Sequence, residues 1–342
     1  MTSPTIDEPD AATALAPAAV RRALKANIGG ADRTFRGIAR SGGVFVLVIM
    51  TLVGTFLGYR AWQALHKAGA SFLTTQDWNP DGGGFGIAAV MIGSILIATV
   101  AIVVAVPLSL GAALYISEYA PRRLQRTLVS LVDLMAAVPS VVYGLWGFFF
   151  LQWRVGPLSR WISDWFGWIP IFKVDGASRH DPLATATVFT SSTFIAGLVV
   201  SLMVAPIASS IMREAFAQAP VGEREGAFAL GATRWGMIRT VVLPFGRGAI
   251  IGGTILGLGR ALGETVAVIM VISLVFKIEP HILQNGTSSV SGLIALRVGE
   301  SSPFGISALM AAGLSLFALT LVVNIIASTV VARSRSGAVS EA

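Results

Sequence analysis

The sequence predicts an all-α membrane protein with six transmembrane helices, and three observations favour this class. Only 13% of the residues are charged, whereas a soluble domain normally carries about 25%. The mean hydropathy is +0.74, and the apolar residues gather into long runs. A helix needs about 20 residues to cross a bilayer. Because the backbone must satisfy its hydrogen bonds internally in lipid, runs of that length are predicted as helices.

Six apolar segments of spanning length divide the chain. We predict a cytoplasmic N-terminal tail over residues 1–40, a six-span membrane domain over 41–332 and a cytoplasmic C-terminal tail over 333–342. The residues up to about position 20 are rich in Ala, Pro, Thr and Asp and are expected to be disordered. The predicted spans lie at about 43–64, 87–116, 127–152, 184–212, 248–276 and 306–331.

Proline and glycine residues inside these spans predict local distortion of the helices. Pro107, Pro139 and Pro206 fall in the second, third and fourth spans. Each removes a backbone hydrogen bond and is expected to kink its helix. The fifth span is rich in glycine at GxxxG spacing, which allows helices to approach closely. The pairs are Gly248/Gly252, Gly253/Gly257 and Gly259/Gly263.

The distribution of Lys and Arg predicts the orientation. With six spans, the side that carries both termini holds roughly twice as many Lys and Arg residues as the other side, which places both termini in the cytoplasm. The net charge of +7 is therefore assigned to cytoplasmic loops and not to nucleic-acid binding. The chain has no cysteine, so disulfides and thiolate metal sites are excluded. No metal site is expected, and the predicted location is the inner membrane of a prokaryote, in contact with lipid.

A tryptophan-rich segment lies between the third and fourth predicted spans. Over 157–169, the residues Leu158, Trp161, Ile162, Trp165 and Trp168 share one helical stripe. Tryptophan is enriched at membrane–water boundaries. The pattern predicts a short interfacial helix at the outer surface of the membrane.

The longest predicted cytoplasmic loop, residues 213–247, favours a helix–turn–helix. Pro220 suits the first turn of a helix that Gly231 stops. Thr233 can cap a second helix, and Pro244 is predicted to end it. The loop also carries Phe228, Leu230 and Trp235. A solvated linker seldom displays such side chains, so they indicate docking into a partner's groove.

The same loop resembles the EAA loop of ABC-importer permeases. The match consists of Glu225-Gly226-Ala227, then Gly231, then Val241-Val242-Leu243-Pro244, with Gly226 in place of Ala and Val241 in place of Ile. The resemblance implies a type I, MetI-like permease. In this family the loop is a cytoplasmic coupling helix seated in a separate ATPase subunit. The implied coupling residues are Glu225, Gly226, Ala227, Gly231, Leu243 and Pro244.

The chain itself is not expected to hydrolyse ATP. A phosphate-binding loop needs the pattern GxxxxGK[ST], and none of its lysines follows a glycine. The chain is therefore predicted to be a permease without a cofactor of its own. ATP and Mg²⁺ are expected to bind to a partner ATPase.

Two stretches within predicted spans resemble the PstC-type permeases of high-affinity phosphate importers. They are residues 137–144, AVPSVVYG, and residues 257–265, GLGRALGET. This resemblance implies phosphate as the transported anion. It also implies three partners, a PstA-like second permease, a PstB-like ATPase dimer and a PstS-like extracytoplasmic phosphate-binding protein.

Arg260 is the leading candidate for the substrate pathway. A charged side chain in the middle of a membrane costs at least about 2.5–3.5 kcal/mol, so such a residue is a functional candidate. Glu264 lies one turn further on, where it is expected to share a helix face with Arg260 and partly neutralise it. The planar guanidinium suits phosphate oxygens. A structural ion pair between helices is the alternative.

Other polar residues near these positions are weaker candidates. Ser140, Tyr143 and Thr265 could offer neutral hydrogen bonds along the path, although each could equally pack between helices. Asp133 falls near the cytoplasmic end of the third predicted span. Glu118, close to Arg122 and Arg123 in the sequence, is predicted to be a surface charge.

Three other functions remain open at this stage. The same class of permease could carry another oxyanion such as sulfate or molybdate. An ion-coupled secondary transporter would need no ATPase. A membrane sensor or scaffold would not transport at all.

Overall fold

The computed structural model describes residues 29–175 and 186–335. The chain separates into two units, residues 1–52 and 53–342. Of the first unit, the described part is helical from Gly30. The first 28 residues of the predicted N-terminal tail and residues 336–342 of the C-terminal tail lie outside the described residues.

The first half of the chain contains two long helices joined by a small hairpin. Helix α1 covers Gly30–Ala68 and is followed by a 3₁₀ turn, Gly69–Leu73. Strands β1, Trp78–Asn79, and β2, Gly84–Phe85, pair antiparallel. Helix α2 covers Ala88–Leu114 and continues into a π turn, Tyr115–Tyr119.

The third predicted span is broken, and the prediction of one kinked helix over 127–152 is wrong. Helix α3 covers Arg122–Ala137 and helix α4 covers Ser140–Trp146. The helical stretch that starts with α4 and runs to Phe166 is bent by 89° relative to α3. At the break, Val138 and Pro139 are both extended, with ψ of 129° and 143°. The ring of a proline disfavours helical geometry in the preceding residue. The pair therefore ends one helix and starts the next.

The helix that follows this break is long. A π turn, Gly147–Leu151, joins α4 to helix α5, Gln152–Phe166. The predicted interfacial segment is thus the end of α5 and not a separate short helix. Trp161 and Trp165 on α5 are exposed, as is Trp168 just beyond it. Their location at the membrane surface stays a prediction.

Helix α6, Thr193–Ala217, forms the centre of the second unit. The side chain of Ser192 caps it by accepting a hydrogen bond from the N–H of Ile195. Small and β-branched residues of α2 and α6 interdigitate in the main core cluster. Pro107 and Pro206 lie inside continuous helices, because neighbouring groups can re-satisfy a freed carbonyl within a packed bundle.

The remaining helices complete the second unit. They are α7, Val221–Ala229; α8, Arg234–Met237; α9, Leu243–Gly263; α10, Val266–Val271; α11, Val290–Arg297; and α12, Pro303–Arg335. A π turn, Ile238–Val242, joins α8 to α9. The fifth predicted span, 248–276, is interrupted where α9 ends at Gly263.

The described residues contain five helices long and apolar enough to cross a membrane, or six if the bent pair α3 to α5 counts as one span. The prediction of an all-α membrane fold is confirmed. Of the predicted GxxxG positions, Gly253 and Gly257 approach α6 closely, at Ala208 and Val204. Gly252, Gly259 and Gly263 face open space.

Candidate functional site

Two helix breaks in the second unit each lie just before a short helix. The first is Val138-Pro139, and the second is the Glu264-Thr265 step between α9 and α10. The short helices that follow the breaks, α4 and α10, pack on one another at Gly144. A Cβ atom at that position would lie 3.0 Å from the Cα of Ala267.

This packing gathers residues that lie far apart in the sequence. Ser140 and Tyr143 belong to α4, Arg260 belongs to the last turn of α9, and Glu264 and Thr265 lie just before α10. Chain folding therefore brings the two predicted motifs to one region. The assignment of these residues to a substrate pathway stays a prediction.

Arg260 is exposed and faces a cavity between α6, α9 and α12. The cavity has a volume of about 630 Å³. Tyr143 is close enough to the guanidinium of Arg260 for the two side chains to interact electrostatically. Within the described part of the chain, no carboxylate lies within ion-pair distance of Arg260. The lining residues are Ile207, Gly252, Ile255, Leu256, Gly257, Gly259, Arg260 and Asn324.

Glu264 does not share a helix face with Arg260, so that expectation is wrong. Helix α9 ends at Gly263, and Glu264 is extended with ψ of 126°. Its buried carboxylate turns the other way, and Oε1 accepts a hydrogen bond from the N–H of Ala267 at 3.2 Å. A carboxylate at the start of a helix satisfies an otherwise unpaired N–H group. Glu264 therefore supports α10 and does not neutralise the charge of Arg260.

The three weaker candidates lie at the helix breaks, and two of them donate hydrogen bonds to backbone carbonyls. The hydroxyl of Tyr143 donates to the carbonyl of Met135 at 2.9 Å and so spans the first break. Thr265 donates to the carbonyl of Gly263 at 3.3 Å, across the second break. Ser140 is the first residue of α4 and is half-buried.

The predicted helix–turn–helix is present in the loop after α6. Gly231 joins α7 to α8 with φ of +83°, which suits glycine because it lacks a Cβ atom. Thr233 caps α8 by accepting from the N–H of Gly236 at 3.1 Å. Glu225 and Gly226 are exposed on α7, whereas Ala227 packs against a cluster beneath it.

Large apolar side chains are exposed on this helix pair and the turn that joins it. The side chains of Phe228, Leu230 and Trp235 are 46%, 91% and 56% exposed. Leu243 packs inward on the same cluster as Ala227. We call Phe228, Leu230 and Trp235 the apolar platform. Its exposure is what a docking surface requires, and the docking itself stays a prediction.

Pro244 does not end the second helix, which corrects the sequence-based expectation. Helix α8 widens into the π turn Ile238–Val242 and continues as α9, with Pro244 in the first turn. A π turn accommodates an extra residue within a helix. Proline is tolerated in a first turn, where its missing N–H is not needed.

Glu118 is not a surface charge, and its sequence neighbours are not its partners. Its side chain is 4% exposed, and Oε2 accepts from Nη1 of Arg224 at 3.0 Å. The guanidinium of Arg224 also donates to the carbonyl of Phe216 at 2.5 Å. Arg224 and Glu118 are 106 residues apart, so no local pattern could indicate this pair.

Asn324 was not singled out from the sequence, although it lines the same cavity as Arg260. It lies in α12 within an apolar run, Leu321 to Ile326. A lone amide among aliphatic residues in a predicted span is a usable signal, because polar groups in spans are costly.

Residues 105–336 match the family described as "Binding-protein-dependent transport system inner membrane component". The chain belongs to this family. Members of this inner-membrane component family resemble it over most of its length. "Phosphate transport system permease protein PstC 2" of Mycobacterium bovis is 37% identical over 297 residues, which is 86% of this chain and 89% of that protein. "Phosphate transport system permease protein PstC" of Pasteurella multocida is 35% identical over 300 residues, which is 87% of this chain and 91% of that protein.

A solved structure supports the fold of this inner-membrane component. The crystal structure of a bacterial alginate ABC transporter, in complex with an alginate-bound periplasmic protein, contains a chain with a TM-score of 0.54. The alignment covers 86% of this chain and 96% of that one at 17% identity. At this identity the likeness shows the fold alone.

Proposed function

We propose that this chain is the PstC-type permease subunit of an ATP-driven phosphate importer and forms half of its translocation pathway. One observation carries the proposal. Arg260, which has no carboxylate partner among the described residues, presents its guanidinium to a cavity of about 630 Å³ at a break in a membrane helix. The names of the relatives at 35–37% identity favour phosphate as the anion over sulfate or molybdate.

The chemistry of Arg260 suits an anion that must bind and then leave. Guanidinium offers a rigid fork of N–H donors that matches phosphate oxygens. A transport site has to bind its ion weakly enough to release it. Because Glu264 is occupied at the start of α10, a passing anion would not have to displace a carboxylate from Arg260.

The apolar platform is proposed to couple the chain to a cytoplasmic ATPase dimer of PstB type, which would bind ATP and Mg²⁺. Glu225, Gly226 and Gly231 are exposed around it. Ala227 and Leu243 anchor it to the second unit, and Pro244 starts the helix that leads to Arg260. An amphipathic helix seated in a groove is a recurring mode of recognition. This assignment places the loop and both termini in the cytoplasm.

Two further partners complete the proposed importer. A PstA-like permease would supply the other half of the pathway, and a PstS-like extracytoplasmic protein would deliver phosphate. ATP-driven closure of the ATPases would then rock the two permeases between outward-open and inward-open states.

The decisive test is uptake of labelled phosphate by the assembled importer carrying Arg260→Ala or Arg260→Lys. We expect at least a tenfold loss for Arg260→Ala and an intermediate loss for Arg260→Lys, which keeps the charge but loses the fork. Arg247→Ala, which removes an exposed arginine from the same helix, is the matched control. Normal uptake by Arg260→Ala, or potent inhibition of the unsubstituted protein by sulfate, would overturn the proposal.

A second test addresses the ATPase. Glu225→Arg replaces a negative charge by a positive one beside the apolar platform. We expect this variant to uncouple ATP hydrolysis from uptake, while the complex still assembles. Glu223→Arg alters another exposed residue of the same helix and is expected to do less. Equal behaviour of the two variants would remove the coupling role of Glu225.

A further inference from the structure

Asn324 is a polar residue without a hydrogen-bond partner in the described part of the chain. It is exposed on α12 between Val323 and Ile325, in a helix apolar enough to span a membrane. An amide moved from water into an apolar medium without a partner costs roughly 2–7 kcal/mol. A partner from outside the chain would remove that cost.

The surroundings of Asn324 indicate what that partner is. It lines the cavity that Arg260 also faces, and the other six lining residues are glycine, isoleucine or leucine. Arg260 and Asn324 are therefore the two lining residues whose side chains can form hydrogen bonds. They come from different helices, α9 and α12, so a small ion in the cavity could be held between them.

We propose that Asn324 is a second contact for the transported anion and favours oxyanions that carry a proton. Arginine can only donate hydrogen bonds, whereas an asparagine amide can both donate and accept. Phosphate near neutral pH has charged oxygens and at least one P–OH group, and it can use both sides of the amide. Sulfate lacks the hydroxyl and can use only the donor side. The inference rests on the proposed function.

The inference can be tested with Asn324→Leu, which keeps the branched shape of the side chain and suits an apolar helix. Loss of a hydrogen-bonded contact of about 1.4 kcal/mol corresponds to a factor of ten. We expect the KM for labelled phosphate to rise about tenfold. We also expect unlabelled sulfate to compete relatively better than it does with the unsubstituted importer. Asn324→Gln retains the amide and is expected to recover part of the discrimination.

Thr320→Val is the matched control on the same helix. The hydroxyl of Thr320 already donates to the carbonyl of Phe317 at 2.8 Å, so its loss leaves the cavity lining unchanged. Copurification of the second permease checks assembly for each variant. If Asn324→Leu and Thr320→Val have the same KM for phosphate and the same competition by sulfate, while Arg260→Ala loses uptake, this inference is wrong and the proposed function stands. If the unsubstituted importer carries no phosphate, the proposed function itself fails.

Two further outcomes would assign Asn324 another role. Loss of copurification in Asn324→Leu would make it an interface residue and overturn the inference. The headgroup of an anionic lipid could also meet Arg260 and Asn324. Uptake is therefore compared in vesicles of phosphatidylcholine with and without phosphatidylglycerol. An effect of Asn324→Leu that requires phosphatidylglycerol would assign the contact to lipid and overturn the inference.

Discussion

Arg224 on α7 and Glu118 in the π turn that ends α2 form an ion pair at 3.0 Å, with side chains that are 20% and 4% exposed. Arg224 also donates to the last turn of α6, at Phe216. One guanidinium thus ties the loop to two helices of the second unit. The apolar platform is therefore held on a fixed base and is not a loose connection.

Removing one member of this pair is expected to destabilise the protein. Glu118→Ala leaves the guanidinium of Arg224 without its charge partner in a largely buried place, which typically costs about 3–5 kcal/mol. Thermal unfolding of the purified importer would measure the loss. The double variant with Arg224→Met is expected to recover part of it. Additive losses in the double variant would show that the two residues do not interact.

Two glycines of the loop are expected to respond in opposite ways to alanine. Gly231 has φ of +83°, where an L-residue costs roughly 1–2 kcal/mol, so Gly231→Ala should lower stability and coupling. Gly226 lies within α7 with open space around it. Gly226→Ala should stabilise the helix by about 0.5–1 kcal/mol. Unfolding temperatures and coupled ATPase rates compare the two, and a harmless Gly231→Ala would contradict the positive φ.

The contact between α4 and α10 leaves little room for a side chain at Gly144. A Cβ atom at Gly144 would lie 3.0 Å from both the Cα of Ala267 and the Cβ of Met270. Gly144→Val should force α4 and α10 apart and reduce uptake at least tenfold. Gly156→Val, on α5 with nothing within 4 Å, is the control for the effect of valine on a helix. Similar uptake by both variants would exclude close packing at Gly144.

The pH dependence of one loop follows from a lysine and an aspartate. The pKa of Asp175 lies below its ordinary value, chiefly because the Lys173 side chain donates a hydrogen bond to it and also through the charge of Lys173. A lowered pKa stabilises the folded state above the pKa of the unfolded chain, and this contribution is lost as the pH falls through the folded-state pKa.

Lys173→Met should therefore raise the pKa of Asp175 and lower stability slightly at neutral pH. The effect is small because both side chains are more than half exposed. Unfolding temperatures measured from neutral to acidic pH should converge for the two proteins. A difference that persists once Asp175 is protonated would point to a role of Lys173 other than this pair.

The sequence predicted the features that depend on local chemistry. Apolar runs long enough to span a bilayer as helices predicted the membrane class. Gly231 predicted the turn of the loop, and Thr233 predicted the cap of its second helix. The stretches around Ser140 and Arg260 were singled out by their resemblance to PstC-type permeases, although the break after Gly263 was not predicted. These features are set by residues close to one another in the chain.

The errors share a different cause, because they depend on distant contacts. Glu118 appeared to be a surface charge until Arg224, far along the chain, was found beside it. Glu264 was expected to face Arg260 because helix periodicity was extended across a break, and its buried carboxylate instead caps α10. The position of Asn324 at the cavity of Arg260 depends on how α12 packs against the other helices. Periodicity cannot supply these relations.

The helix that begins at Arg234 runs without interruption to Gly263, a distance of 30 residues. At 1.5 Å per residue it is a rod of about 45 Å. Trp235 stands at one end, and Arg260 lies one turn from the other. Because the helical path between them continues through the π turn Ile238–Val242 without a break, a tilt applied at Trp235 would be transmitted along the helix toward the guanidinium. In the proposed importer, closure of the ATPase dimer would then be linked mechanically to release of the anion.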